Sequence, residues 1–350
     1  MSYLEYKVAR VPSGLSKVLA LNWGLVLLVT AVASIGFIVL YSVGGGSWYW
    51  AEPQMQRFAL GLVVMFAAAM IPIWFWRNVS AAMYGGALVL LLAVDFVGAS
   101  GGGAQRWIDI GFMRLQPSEL MKITLVLMLA AYYDWLPVTK VNRPQWVILP
   151  VLIILLPTML VLKQPDLGTA ILLLMGGAMM MFLAGVHWAY FATVFAAAAG
   201  YNITQSKIAL GSGGWTGKGF MQGTQARLDF LPEKQTDFIF TILAEEFGLV
   251  GGASLLALYM LIIIFCIVSA LRMKDRFSAL ATLGVAATFF LFFAVNMSMV
   301  MGMAPVVGVP LPLVSYGGSA MLVLMLAFGI VQSAHVHRPR AQGEGQLFKR

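Results

Sequence analysis

The sequence predicts an all-α polytopic membrane protein with about ten transmembrane helices, built as one membrane domain over residues 1–350. Three observations carry this. Hydrophobic residues make up 61% of the chain and charged residues only 10%, whereas soluble domains carry about 25% charged residues. The apolar residues are gathered into runs long enough, at about 20 residues each, to cross a ~30 Å hydrocarbon core. The runs are continuous rather than alternating, which excludes a membrane β-barrel. One cysteine, Cys266, lies inside an apolar run, so a disulfide scaffold is excluded. A mean hydropathy of +0.87 excludes disorder.

Taken in order, the candidate spans are 19–43, 58–76, 79–98, 119–133, 146–162, 167–186, 187–200, 249–271, 277–300 and 318–336. The first is no signal peptide, because no small-residue cleavage site follows it and nine more spans do. The seventh has only 14 residues, about 21 Å of helix, too short for the bilayer. Without it the later topology inverts. We therefore expect residues to be missing between Gly200 and Tyr201, with a re-entrant seventh segment as the alternative.

The net charge of +8 sets the orientation. With the N-terminus inside, the even-side segments hold Lys7, Arg10, Lys17, Arg77, Lys140, Arg143, Arg272, Lys274, Arg276, Arg338, Arg340, Lys349 and Arg350. Only Glu5, Asp134, Asp275 and Glu344 oppose them there. The positive-inside rule then places both termini, including a tail at 337–350, in the cytoplasm. Four polar segments consequently face outward.

The first, at 101–122, mixes Arg106, Trp107, Asp109, Arg114, Glu119 and Lys122 with glycines. Glu119 and Lys122 are three apart and share a helix face. An interfacial loop with a Trp anchor and a structural ion pair also explains this composition. In the second, KQPDLGT at 163–169, Asp166 after Pro165 reads as a helix cap. The third is the large loop 201–237; its GSGGWTGKGF departs from the P-loop pattern and precedes no strand–helix unit. It leads to Asp237, followed by FIFTILAEE. A helix begun there sets Thr241 about 40° and Glu245 about 80° around from Asp237. Ionisable groups at membrane depth point to function, and an N-cap is the competing role. The fourth, VPLPLVSYGGS at 309–319, holds two prolines and two glycines near Asn296 and Gly302. Irregular backbone at that depth must be protein-buried or line a wet cavity. The four segments point to one polar chamber. His187, His335 and His337 are scattered, and no metal-ligand set or Ser–His arrangement is visible.

The strings GAQRWIDIG (103–111), RLQPSELMKI (114–123), KQPDLGTA (163–170), QSKIALGSGGWTGKGF (205–220), LPEKQTDFIFTILAEEFGLVG (231–251) and GVPLPLVSYGGSAM (308–321) carry a specific resemblance. They resemble the SEDS family (shape, elongation, division and sporulation proteins), its elongation branch more than its division branch. The resemblance implies a ten-helix SEDS fold with both termini cytoplasmic. It also implies a further stretch where FAAAAG here runs directly into YNITQ, so that the 201–237 loop is incomplete before Tyr201.

The implied activity is peptidoglycan glycosyl transfer during cell elongation, polymerising lipid II, a disaccharide-pentapeptide on undecaprenyl diphosphate. Asp237 matches the family's catalytic aspartate. Arg106, Trp107, Glu119 and Lys122 match residues beside the active cavity, and Asp166, Ser315 and Tyr316 match family positions as substrate-site candidates. Chemically, an acceptor hydroxyl needs a base and a departing diphosphate needs cations. With no second carboxylate identified as a nucleophile, a single inverting displacement is expected. No cofactor is identified, and divalent-cation assistance at the diphosphate is undetermined. The implied partners are a class B penicillin-binding transpeptidase and other elongation-complex membrane proteins, with no nucleic acid. The location is the bacterial inner membrane, with the active site extracytoplasmic. The rival readings are a lipid II flippase, which needs polar features on both faces, and a non-catalytic assembly scaffold.

Overall fold

The computed structural model describes residues 14–101, 104–109, 111, 114–187, 214–223, 235–304 and 307–338. All of the expected seventh span (187–200) beyond His187, the Gly200–Tyr201 junction and most of the 201–237 loop and C-terminal tail lie outside the described residues. The described helices are α1 (Leu15–Leu19), α2 (Trp23–Val43), α3 (Ala51–Met70), α4 (Ile73–Val97), α5 (Pro117–Trp135), α6 (Pro144–Lys163), α7 (Leu167–Leu183), α8 (Ile239–Leu271), α9 (Arg276–Val300) and α10 (Gly318–Val336). Six of them, α2, α4, α6, α8, α9 and α10, are long and apolar enough to cross a membrane; α7 is apolar but shorter. The chain is a multi-pass membrane protein.

α9 and α10 form the interior. In each, 72% of the most apolar stretch is buried, against 28% in α4. α10 packs most extensively on α3, and α9 contacts α5, α7, α8 and α10. α5 starts at Pro117, where the missing N–H costs nothing. It is buried on nearly every side despite Glu119 and Lys122. α6 also opens on a proline, Pro144, and turns sharply into α7. There Asp166 is the N-cap, its carboxylate accepting from the Thr169 N–H at 3.1 Å.

Three expectations need correction. The 58–76 and 79–98 spans are shifted: α3 already begins at Ala51 and ends at Met70, while Pro72, extended at φ −64°, ψ 144°, caps α4. Proline lacks the N–H needed to continue α3 and disfavours helical geometry at Ile71. The polar start of α3, with Glu52, Gln54, Gln56 and Arg57, hid this from hydropathy. Second, the chain is not wholly α. A three-stranded antiparallel sheet, β1 (Ala99–Gly101), β2 (Ala104–Asp109) and β3 (Arg114–Leu115), occupies part of the first polar segment. Third, the 249–271 span is the second half of α8, which starts ten residues earlier and breaks at Gly248 (φ 63°, ψ −159°).

The fourth polar segment runs as expected through buried, irregular backbone: Val309, Leu311, Leu313, Val314 and Ser315 are all buried. Its polar groups find side-chain partners, as burial demands. Asn296 donates to the Val309 carbonyl at 2.7 Å and Tyr259 to that of Pro312. Gln54 donates to the Ser315 carbonyl at 2.9 Å and accepts from the Gly317 N–H at 3.3 Å.

Candidate active site

Asp237 lies in the turn 235–238, just before α8. It is not the helix cap: that position is Phe238, which makes no side-chain cap hydrogen bond. Three successive carbonyls of the turn are held from outside it. Gln235 accepts from the Tyr316 N–H at 2.9 Å, Thr236 from the Ser315 hydroxyl at 2.5 Å, and Asp237 from the Asn296 amide at 2.9 Å. The irregular segment after α9 thus splints the Asp237 turn.

α8 is anchored on its other side by residues 214–223. Breaking a helix at Gly248 removes partners from neighbouring backbone groups, and this loop restores them. Lys218 N–H donates to the Glu245 carbonyl at 2.9 Å and Gly219 to that of Glu246 at 3.1 Å. Leu249 and Val250 N–H groups donate to Gly214 at 3.0 Å and Trp215 at 3.2 Å. Lys218 Nζ meets the buried Glu245 carboxylate at 2.7 Å, and Ser42 donates to Glu246. Both acids are 1% exposed.

Asp237 faces a cavity of about 330 Å³. Arg106, Trp107, Glu119, Lys122, Asp166 and Tyr316 also line it, so seven of the eight residues singled out from the sequence share one chamber. Lys122 and Glu119 are 2.7 Å apart and almost fully buried, and the ammonium stands 4.1 Å from the centre of the Phe292 ring. A buried cation so placed is held by both its carboxylate and a π face. Arg106 on β2 ties the sheet to the α6–α7 turn, donating to the Gln164 carbonyl at 2.9 Å and to that of Pro165. Gln116 reaches Asp166 at 3.2 Å. Ser315 lines an adjoining pocket with Glu119 and Lys122 rather than the chamber of Asp237. Its hydroxyl accepts from Leu311 N–H at 2.7 Å while donating to Thr236, so it is a backbone tether.

The sequence reading missed several residues. Gln116 and Ser319 line the chamber with Asp237. The Ser319 hydroxyl is buried with no hydrogen-bond partner among the described residues. Gln54 and Asn296 splint the site and are 0% exposed. A lone polar residue inside an apolar helix is the signal that marks Asn296, already noted beside the fourth segment; Gln54, in the polar start of α3, carries no such signal.

A chamber combining a carboxylate, an ammonium and a guanidinium suits transfer from an anionic leaving group. The FtsW/RodA/SpoVE model, described as a cell cycle protein, matches residues 15–199 and 195–340. The chain is 42% identical to peptidoglycan glycosyltransferase MrdB of Escherichia coli (strain K12), over 90% of this chain and 93% of that one. It is 34% identical to MrdB of Helicobacter pylori (strain ATCC 700392 / 26695), over 80% and 81%. The crystal structure of Thermus thermophilus rod shape determining protein RodA superimposes with a TM-score of 0.77 at 32% identity, covering 92% of this chain and 99% of that one. A chain of a peptidoglycan synthase complex, in which polymerization and crosslinking are coordinated, gives 0.78 at 29% identity, covering 91% and 98%. This chain therefore belongs to the FtsW/RodA/SpoVE family and is a glycosyltransferase.

Proposed function

We propose that this glycosyltransferase polymerises lipid II into peptidoglycan strands during cell elongation, in the bacterial cytoplasmic membrane, with Asp237 as general base. The observation that carries the reading is the gathering of Asp237, Lys122 and Arg106 around one chamber. The acceptor hydroxyl gives its proton to the Asp237 carboxylate as its oxygen bonds to the anomeric carbon. The bond from that carbon to the diphosphate breaks, and its electron pair leaves with the diphosphate. Lys122, with Arg106 nearby, stabilises that charge. One displacement inverts the anomeric centre and converts an α-linked donor into a β-linked chain.

About ten spans with both termini cytoplasmic put this chamber on the extracytoplasmic side. Side-chain contacts support that arrangement. Arg77 pairs with Asp275 at 2.7 Å and Asp134 at 3.4 Å, while Arg276 donates to the Leu136 carbonyl at 2.7 Å. Residues that the charge count assigns to the cytoplasmic face therefore meet each other, away from Asp237. The basic tail 337–350 extends that face, and the 201–237 loop belongs to the opposite one. A class B penicillin-binding transpeptidase that crosslinks the product is the partner this reading requires, beside other elongation-complex membrane proteins.

The test is purified protein with labelled lipid II and products separated by chain length. Glycan ladders from wild type that vanish in Asp237→Asn support polymerisation. Lipid II crossing a liposome bilayer with no glycan formed would make the protein a flippase, and neither activity would leave a scaffold.

A further inference from the structure

α5 carries Glu119 and Lys122 near its start and ends at Trp135. Its 19 residues span about 28 Å. The elbow joining α5 to α6, residues 136–143, therefore lies at the end of the helices away from the Asp237 chamber. This elbow is tightly wound. The N–H groups of Lys140, Arg143 and Trp146 donate three residues back, to the carbonyls of Pro137, Lys140 and Arg143, at 2.9, 3.0 and 2.9 Å. Turns of this kind hold residues three apart within about 7 Å between Cα atoms, so Lys140 and Arg143 stand close together. The Tyr132 hydroxyl donates to the Trp146 carbonyl at 2.7 Å, and Arg276 donates to that of Leu136 at 2.7 Å. The elbow is thus fixed to both α5 and α9.

Lys140 and Arg143 are left without counter-charge. Asp134, at the end of α5, and Asp275, at the start of α9, both pair with Arg77. No carboxylate among the described residues pairs with Lys140 or Arg143. Like charges held close repel, and Arg272 and Lys274, exposed just before α9, add the same sign. Two indoles stand beside these cations. Trp146 lies 5.5 Å from the Lys140 ammonium and 5.7 Å from the ring of Trp135, which is 67% exposed. Tryptophans so placed sit at headgroup level in a bilayer. Further along α6, Ile148, Leu152, Leu156 and Met159 are each more than half exposed. Their spacing puts them on one helix face, an apolar stripe that leads away from the cations.

We propose that this elbow binds one anionic phospholipid, with its phosphate on Lys140 and Arg143 and an acyl chain along the α6 stripe. The anion relieves the repulsion between the two cations, and clusters of basic residues beside membrane helices attract such headgroups. Arg143 offers paired N–H donors to phosphate oxygens, and Lys140 adds a point charge. Trp135 and Trp146 take the level between headgroup and chain. A soluble anion would use the cations and leave the stripe without a role.

The experiment is native mass spectrometry of the full chain in detergent, titrated with phosphatidylglycerol or with zwitterionic phosphatidylcholine. Wild type retains one phosphatidylglycerol at concentrations at least tenfold below those needed for phosphatidylcholine. Lys140→Gln with Arg143→Gln abolishes that preference, while Lys349→Gln with Arg350→Gln, which removes the same charge from the tail, keeps it. Thermal unfolding follows the same order: phosphatidylglycerol raises the midpoint of wild type and of the tail variant only. Glycerol phosphate, the headgroup without chains, leaves the midpoint unchanged. Equal retention of the two lipids by wild type, or an undiminished preference in the Lys140 and Arg143 variant, overturns the proposal. So does loss of the preference in the tail variant, which would reduce it to general attraction by net charge. Stabilisation by glycerol phosphate alone would make the elbow a site for a soluble anion and overturn it as well.

Discussion

Asn296 holds Asp237 by the backbone. Its amide nitrogen donates to the Asp237 carbonyl at 2.9 Å and to the Val309 carbonyl at 2.7 Å. One fully buried side chain in α9 thus bridges the turn bearing the carboxylate and the irregular segment that walls the chamber. Such a link engages only the Asp237 backbone and fixes where its Cα stands.

Asp237→Asn keeps the shape of the side chain and removes its basicity. Glycan formation from lipid II should fall at least about 100-fold, with unchanged thermal unfolding and membrane insertion. Near wild-type polymerisation by the folded variant would remove Asp237 from the mechanism.

Asn296→Ala removes the donor from the buried Val309 carbonyl, at about 1–3 kcal/mol, and from the half-buried Asp237 carbonyl. Thermal stability should drop, and kcat should drop further than the half-saturating lipid II concentration rises, because the splint positions the base rather than the substrate. A variant that loses stability but keeps wild-type kcat would confine Asn296 to a folding role.

Lys122→Met alone strands Glu119 in the protein interior, a change worth about 3–5 kcal/mol. The double variant Glu119→Gln with Lys122→Met removes both charges and should fold. If Lys122 engages the diphosphate, the folded double variant stays deficient in lipid II turnover. Wild-type turnover by the double variant would return the pair to a structural role.

Gly248→Ala places a Cβ 2.3 Å from the Gly217 nitrogen, on backbone at φ 63°. Steric strain at such a position costs about 1–3 kcal/mol, and here it also pushes the 214–223 loop off the break in α8. Limited proteolysis should cut near residues 214–223 faster than in wild type, and polymerisation should slow with it. Unchanged cleavage would show that the loop is held by contacts other than this stitch.

The sequence by itself determined the class of protein, because burial in lipid is a per-residue cost that hydropathy reads directly. It also revealed the Asp166 cap, since a proline–aspartate step before an apolar run is a local signal. The strings flanking Asp237 carried the family. Tertiary structure alone decided which polar residues meet. Arg57 falls just outside the expected 58–76 span until α3 is seen to start at Ala51, and only the fold shows the Ser315 hydroxyl bonded to Leu311 and Thr236. The 101–122 segment concealed a small sheet because its glycines and charges broke the alternation that marks strands. Asn296 lies 59 positions from Asp237, and Gln54 lies 261 from Ser315. Hydrogen bonds at such separations depend on how helices cross, and no local pattern encodes that.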